Sequence, residues 1–130
     1  MAKPRKQGKP KATSKRGGNS KEAIVLIPLT YNDRTQVPQD VLLDIFEEIY
    51  AAFHGWTEEG IVKGAYRMQT GQKQVENLLK VSVILDESQI PELEAMVAQW
   101  CARLGQEAML LKIADFVVKF VPPQREAEEP

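Results

Sequence analysis

The stretch LLKVSVILDESQIPELEAMVAQWCARLG, residues 78–105, decides the fold. Leu79, Val81, Val83 and Leu85 alternate with Lys80, Ser82 and Ile84, the period of two that gives a strand one buried face. After Asp86 the period changes. Ile90, Leu93, Val97, Trp100, Cys101 and Leu104 recur at helical spacing, and Gly105 closes the run. Ser88 is placed to cap the helix, with Pro91 and Glu92 in its first turn. A strand therefore feeds almost directly into an amphipathic helix, and the rest of the chain must supply their partners.

Upstream, AIVLIPLT at 23–30 is rich in aliphatic and β-branched residues and reads as a strand. Pro28, which has no N–H to donate, argues for an edge position or a bulge near its end. After the turn-forming YNDRTQ, the segment VPQDVLLDIFEEIYAAFHG places Val41, Leu42, Ile45, Ile49 and Phe53 on one helical face. Asp44, Glu47 and Glu48 occupy the other side. Pro38 fits the first turn, Asp40 favours its positive end and Gly55 supplies the stop. In EEGIVKGAYRMQ, 58–69, Val62, Gly64 and Tyr66 share one side, and Thr70-Gly71-Gln72-Lys73 reads as a hairpin turn before the strand that opened this section. A turn centred on Gly71-Gln72 would set Arg67 opposite Glu76 as a cross-strand ion pair. Downstream, EAMLLKIADFVVKFV at 107–121 is strand-like, as one bent strand or two short ones meeting at Ala114-Asp115.

The order is β-α-β-β-α-β. The expected fold is α+β and ferredoxin-like: an antiparallel sheet with both helices on one face and the first and third strands central. The uncovered sheet face makes a homodimer through that face the expected partner arrangement. The expected boundaries are a basic tail at 1–22, the folded domain at 23–121 and an acidic tail at 122–130.

The segments VLIPLTYND, HGWTEEGIVKGAYR and LGQEAMLLKI resemble those of small bacterial proteins with the same element order. These share a G-x-x-x-G-x-W/Y segment before a hairpin and a G-Q-E-A/T-M/V segment before the last strand. The resemblance spans residues 24–121, supports the fold and implies no particular activity.

Charge divides the chain in two. Residues 3–21, KPRKQGKPKATSKRGGNSK, carry Lys3, Arg5, Lys6, Lys9, Lys11, Lys15, Arg16 and Lys21 and no acidic residue. Removing these eight from the 17 basic residues leaves nine against 18 acidic ones in residues 22–130, a formal balance of −9. So polar a leader has too little apolar surface to offset backbone ordering, and disorder is expected. One reading makes it a nonspecific phosphate-binding arm for nucleic acid, and another an arm resting on the acidic body. It has no aromatic ring for stacking on bases.

No Walker loop, dinucleotide fingerprint, HExxH helix or EF-hand loop is present. His54 is the only histidine and Cys101 the only cysteine, so neither a multi-histidine metal site nor an intramolecular disulfide can form. The candidate small-ligand residues are His54, Trp56, Arg67 and Glu107, with Tyr66 beside them. His54 reads otherwise as a helix-end residue, and Glu107 as the solvated start of a strand. The longest apolar run, AIVLI, is too short to cross a bilayer, and no signal-peptide pattern follows the basic leader. The expectation is a cytoplasmic interaction or dimerisation module that is not an enzyme and takes no cofactor or metal. A nucleic-acid accessory role and a small-ligand binder or enzyme around His54, Trp56, Arg67 and Glu107 are the alternatives.

Overall fold

The computed structural model describes residues 20–114 and 119–124. Its elements are β1 (Ser20–Pro28), α1 (Gln39–Phe53), β2 (Thr57–Arg67), β3 (Lys73–Asp86), a 3-10 turn (Glu87–Gln89), α2 (Ile90–Arg103) and β4 (Leu111–Ala114). The sheet order is β2-β3-β1-β4 with every neighbouring pair antiparallel. This is the ferredoxin-like α+β arrangement, with the first and third strands in the middle.

Both helices cover the same sheet face. Ala23, Val25 and Ile27 of β1 and Val81, Val83 and Leu85 of β3 form a single buried cluster with Ile45, Phe46, Ile49 and Phe53 of α1 and Leu93, Val97 and Trp100 of α2. Period-two strands and period-3.6 helices each bury one stripe, and here the stripes meet. Trp100 is fully buried, and its indole N–H donates to Glu48 Oε1 at 2.8 Å. Arg103 Nη1 reaches the other oxygen of the same carboxylate at 2.8 Å. One α1 side chain thus joins two positions on α2. Burial alone would raise the Glu48 pKa, but the bonds from Arg103 and Trp100 and the guanidinium charge bring it below the usual carboxylate value.

Local details differ from the expectations. β1 begins at Ser20, which pairs with Asp86, so Lys21 and Glu22 belong to the sheet and not to the tail ending at 22. Pro28 ends a central strand. Leu26 N–H points to the β4 side, where it meets Leu110 O at 3.2 Å, and Pro28, two residues on, faces the same side past the end of β4. Its missing donor is therefore not needed. Pro38 is extended (φ −62°, ψ 150°) and precedes the first helical residue. His54, not Gly55, takes the left-handed conformation that stops α1 (φ 72°), its backbone N–H bonding Tyr50 O at 2.9 Å. Asp86, not Ser88, caps the next element. Its carboxylate accepts from Ser88 N at 3.0 Å, and Gln89 Oε1 accepts from Asp86 N at 3.0 Å, a reciprocal capping box. Of the last strand-like segment, residues 111–114 pair with β1 and 115–118 lie outside the described residues, as do 125–130 of the expected acidic tail.

Substituting Glu48 with Gln is expected to lower stability at pH 7 by about 1 kcal/mol, the scale of a charge-assisted bond at a carboxylate one-third exposed. Because folding lowers this pKa, the lost stability is present above the ordinary value of 4.5 and disappears as pH falls through the lower native value. Urea melts of both proteins across the acid range should therefore converge at low pH.

Candidate functional site

The β2–β3 turn is tighter than the spacing suggested. Met68 N donates to Gln72 O and Gly71 N to Met68 O, both at 2.8 Å, and Gly71 adopts φ 90°. Pairing thus sets Arg67 opposite Lys73, Ala65 opposite Val75 and Gly64 opposite Glu76. The expected Arg67–Glu76 ion pair does not form. The turn is centred three residues' worth of register earlier, and an odd shift sends the two side chains to opposite faces. Farther from the turn, a bulge between Glu58 and Gly60 restores the pairing at Thr57–Ser82.

On the sheet face without helices, Gly64 creates room. A Cβ there would lie 2.7 Å from Tyr66 Oη and 2.9 Å from Leu78 Cδ1, so the tyrosine ring lies back over the glycine toward β3. Three connections converge beside it. The β1–α1 loop turns tightly, with Tyr31 N bonding Thr35 O at 2.8 Å and Asp33 Oδ1 accepting from Thr35 N at 2.9 Å. The hydroxyl and amide of Thr35 hold the fully exposed Asp33 carboxyl below its ordinary pKa. This turn presents Asn32, whose amide donates to Gly105 O at 2.8 Å and accepts from Gln74 Nε2 at 3.3 Å. From the α2–β4 connection, Glu107 Oε1 accepts from Gln69 N at 3.2 Å on the hairpin turn. Cys101 Sγ, half-buried as expected of a packing residue, donates to Gln106 O at 3.3 Å and steadies the start of that connection.

These contacts enclose a cavity of about 310 Å³, at the lower end of the range for small-molecule sites. Leu26, Pro28, Leu78, Met109 and Leu110 form its apolar wall, and Tyr66, Gln74 and Glu76 supply the polar groups on the sheet. Glu76 is the unusual member. Its Oε1 is buried and accepts no hydrogen bond from the described residues. Desolvation raises its pKa, with Arg34 pulling the other way. The Tyr66 phenol is also raised, first by desolvation and then by the charge of Glu76. A desolvated carboxyl with an open acceptor, beside a phenol and an apolar wall, suits a ligand that is mostly apolar and carries a cation or an N–H or O–H donor.

The four ligand candidates do not gather in one place. Arg67 and Glu107 line this cavity. Trp56 lies elsewhere, stacked on Phe46 at 5.2 Å with planes 4° apart, edge-on to Tyr50 at 6.3 Å and bonded through its N–H to Glu58 at 3.3 Å. His54 ends α1. Sequence reasoning missed Glu76 as a ligand group because the slipped register gave it to Arg67, and missed Asn32 and Gln74 because they meet only across loops. The alternation of Val62, Gly64 and Tyr66 was the available signal. Of the basic candidates, Lys21 lies in β1, while Lys3, Arg5, Lys6, Lys9, Lys11, Lys15 and Arg16 fall outside the described residues. Among the described residues no three His, Cys, Asp or Glu side chains form a group that could hold a metal ion, and no helix is long and apolar enough to cross a membrane.

No family model and no curated relative matches the chain. Solved structures do. A phage SAM lyase in complex with S-methyl-5'-thioadenosine aligns at TM-score 0.63 and 16% identity, over 85% of this chain and 95% of that one. CutA1 from the psychrotrophic bacterium Shewanella sp. SIB1 aligns at TM-score 0.59 and 10% identity, over 78% and 85% of the two chains. The divalent cation tolerance protein CutA1 of Thermus thermophilus aligns at TM-score 0.52 and 14% identity, over 83% and 90%. At such identities the likeness is one of fold: the chain shares the ferredoxin-like architecture of CutA1 and of the phage lyase.

Proposed function

We propose that the chain binds a small amphipathic molecule in the cavity between the open sheet face and the 105–110 connection, anchored by Glu76. The buried carboxylate oxygen, which has no donor among the described residues, carries this reading, because a folded protein gains nothing from desolvating an acceptor it leaves empty. The ligand class is an alkylthio-nucleoside or its sulfonium relative, a flat apolar body with N–H donors or a positive charge near sulfur. The same fold holding S-methyl-5'-thioadenosine in the phage lyase supports that choice.

Calorimetric titration of S-methyl-5'-thioadenosine and of S-adenosylmethionine tests it. Glu76→Gln is expected to weaken the cationic ligand by about tenfold, the value of one charge-assisted contact. Affinity for that ligand should rise as pH passes the elevated carboxyl pKa, and the Gln variant should lose this dependence. Absence of binding by both ligands, or equal binding by the variant, overturns the reading.

Two further outcomes follow from the same geometry. Gly64→Ala forces Tyr66 to swing out, so it should weaken binding more than it lowers stability, the latter by about 1 kcal/mol since only side-chain ends must move. Glu76→Gln should melt at a higher temperature than the wild type at pH 7. Folding raises this pKa, so native stability falls as pH climbs from the ordinary 4.5 through the higher native value, and the difference should close below that range.

Self-association through the open sheet face is a second reading, favoured by the lack of a helix over Val62, Lys80 and Ile84, which remain only half-buried. A clean monomer in light scattering at micromolar concentration would remove it. Phosphate binding by the basic leader is a separate proposal. It predicts salt-sensitive duplex binding that disappears when residues 1–19 are deleted.

A further inference from the structure

The β2–β3 register leaves an unusual charge arrangement on the hairpin. The pairs Lys63–Asn77, Ala65–Val75 and Arg67–Lys73 share the sheet face opposite Glu76, so toward the closed end of the hairpin this face carries three cations and no carboxylate, Glu58 lying at the far end opposite Val81. Arg67 and Lys73 are direct cross-strand partners, and like charges so placed destabilise a sheet. Elsewhere in the folded part three cations meet acids: Lys80 pairs with Glu59 at 3.3 Å, Arg103 with Glu48 at 2.8 Å, and Arg34 influences Glu76. Lys63, Arg67 and Lys73 are exposed and pair with no carboxylate among the described residues. Between Arg67 and Lys73, at the closed end of the hairpin, lies a concavity of about 270 Å³ bounded by Ala65, Tyr66 and Gly71. Its shape is held by the two 2.8 Å backbone bonds across residues 68–72.

We infer that Arg67 and Lys73 form a clamp for a phosphate group at the tip of the β2–β3 hairpin. A phosphate dianion matches the two charges, the guanidinium offers a forked pair of donors and the ammonium a mobile third. Binding would also relieve the repulsion between the two side chains. The phosphate is either free or part of a larger molecule, for Tyr66 and Arg67 border both this concavity and the Glu76 cavity. The clamp does not depend on the ligand of that cavity, since S-methyl-5'-thioadenosine carries no phosphate.

Residue-resolved NMR titration of the full chain with inorganic phosphate, in low-salt buffer, tests the clamp. Saturable shifts are expected at Arg67, Gly71 and Lys73, and Arg67→Gln and Lys73→Gln should each weaken them by about tenfold. Both positions are exposed, so the variants should stay folded and melt no lower than the wild type, the repulsion being gone. Shifts confined to residues 3–16, or equal affinity in the variants and the wild type, overturn the inference. Adenosine 5'-monophosphate titrated in parallel separates the sources. Tighter binding than inorganic phosphate places the phosphate on a molecule that also enters the Glu76 cavity, whereas equal affinity identifies free phosphate as the ligand.

Discussion

The hydrogen-bond register between β2 and β3 sets Gly64 opposite Glu76 and Arg67 opposite Lys73, and the chemistry of both sheet faces follows from it. Period-two alternation means that every residue after the turn takes its face from the turn's length. With the five residues Met68 to Gln72 between the last strand pair, Tyr66, Glu76 and Leu78 fall on the side away from the helices, while three cations fall on the other. Because pairing with β1 fixes the faces of β3, a one-residue change in that turn would flip β2 alone and turn Tyr66 away from Glu76.

Two carboxylates show how surroundings, not depth alone, decide the chemistry. Glu48 and Glu76 both lose water on folding. Glu48 receives an indole N–H and a guanidinium, so its charge is welcome and it joins the two helices. Glu76 has a buried oxygen with no donor among the described residues, and its charge is disfavoured. The first arrangement stabilises the fold, and the second costs stability. Beneath the helices the sheet is thus a dry core, with Glu48 satisfied at its margin, while the other side holds an unsatisfied carboxylate oxygen at the meeting point of three connections. Hydrogen bonds from Asn32 to Gly105 and from Gln69 to Glu107 bring those connections together. The β1–β3 pair is the rigid floor beneath them.

The shared architecture with CutA1 and the phage lyase at 10–16% identity fits this division of labour. The fold needs only apolar residues at the right period on four strands and two helices, a requirement that many sequences meet. The groups around Glu76 need particular side chains in particular loops. They can change while the frame persists, so the frame says little about the chemistry of the cavity.

Element type and order were legible in the amino-acid sequence because periodicity is local: Leu79 to Leu85 alternate, and Ile90 to Leu104 recur every three to four residues, whatever the rest of the chain does. The helix faces were legible for the same reason, down to Ile45, Ile49, Leu93, Val97 and Trp100. The slipped hairpin register, the choice of His54 over Gly55 as the left-handed residue and the capping role of Asp86 were decided by competition among neighbouring turn formers, which composition alone leaves nearly even. The site itself belongs to the tertiary structure. Asn32, Tyr66, Glu76 and Glu107 lie on four separate segments, and only closure of the sheet and docking of the last connection bring them to one concavity and bury one oxygen of Glu76.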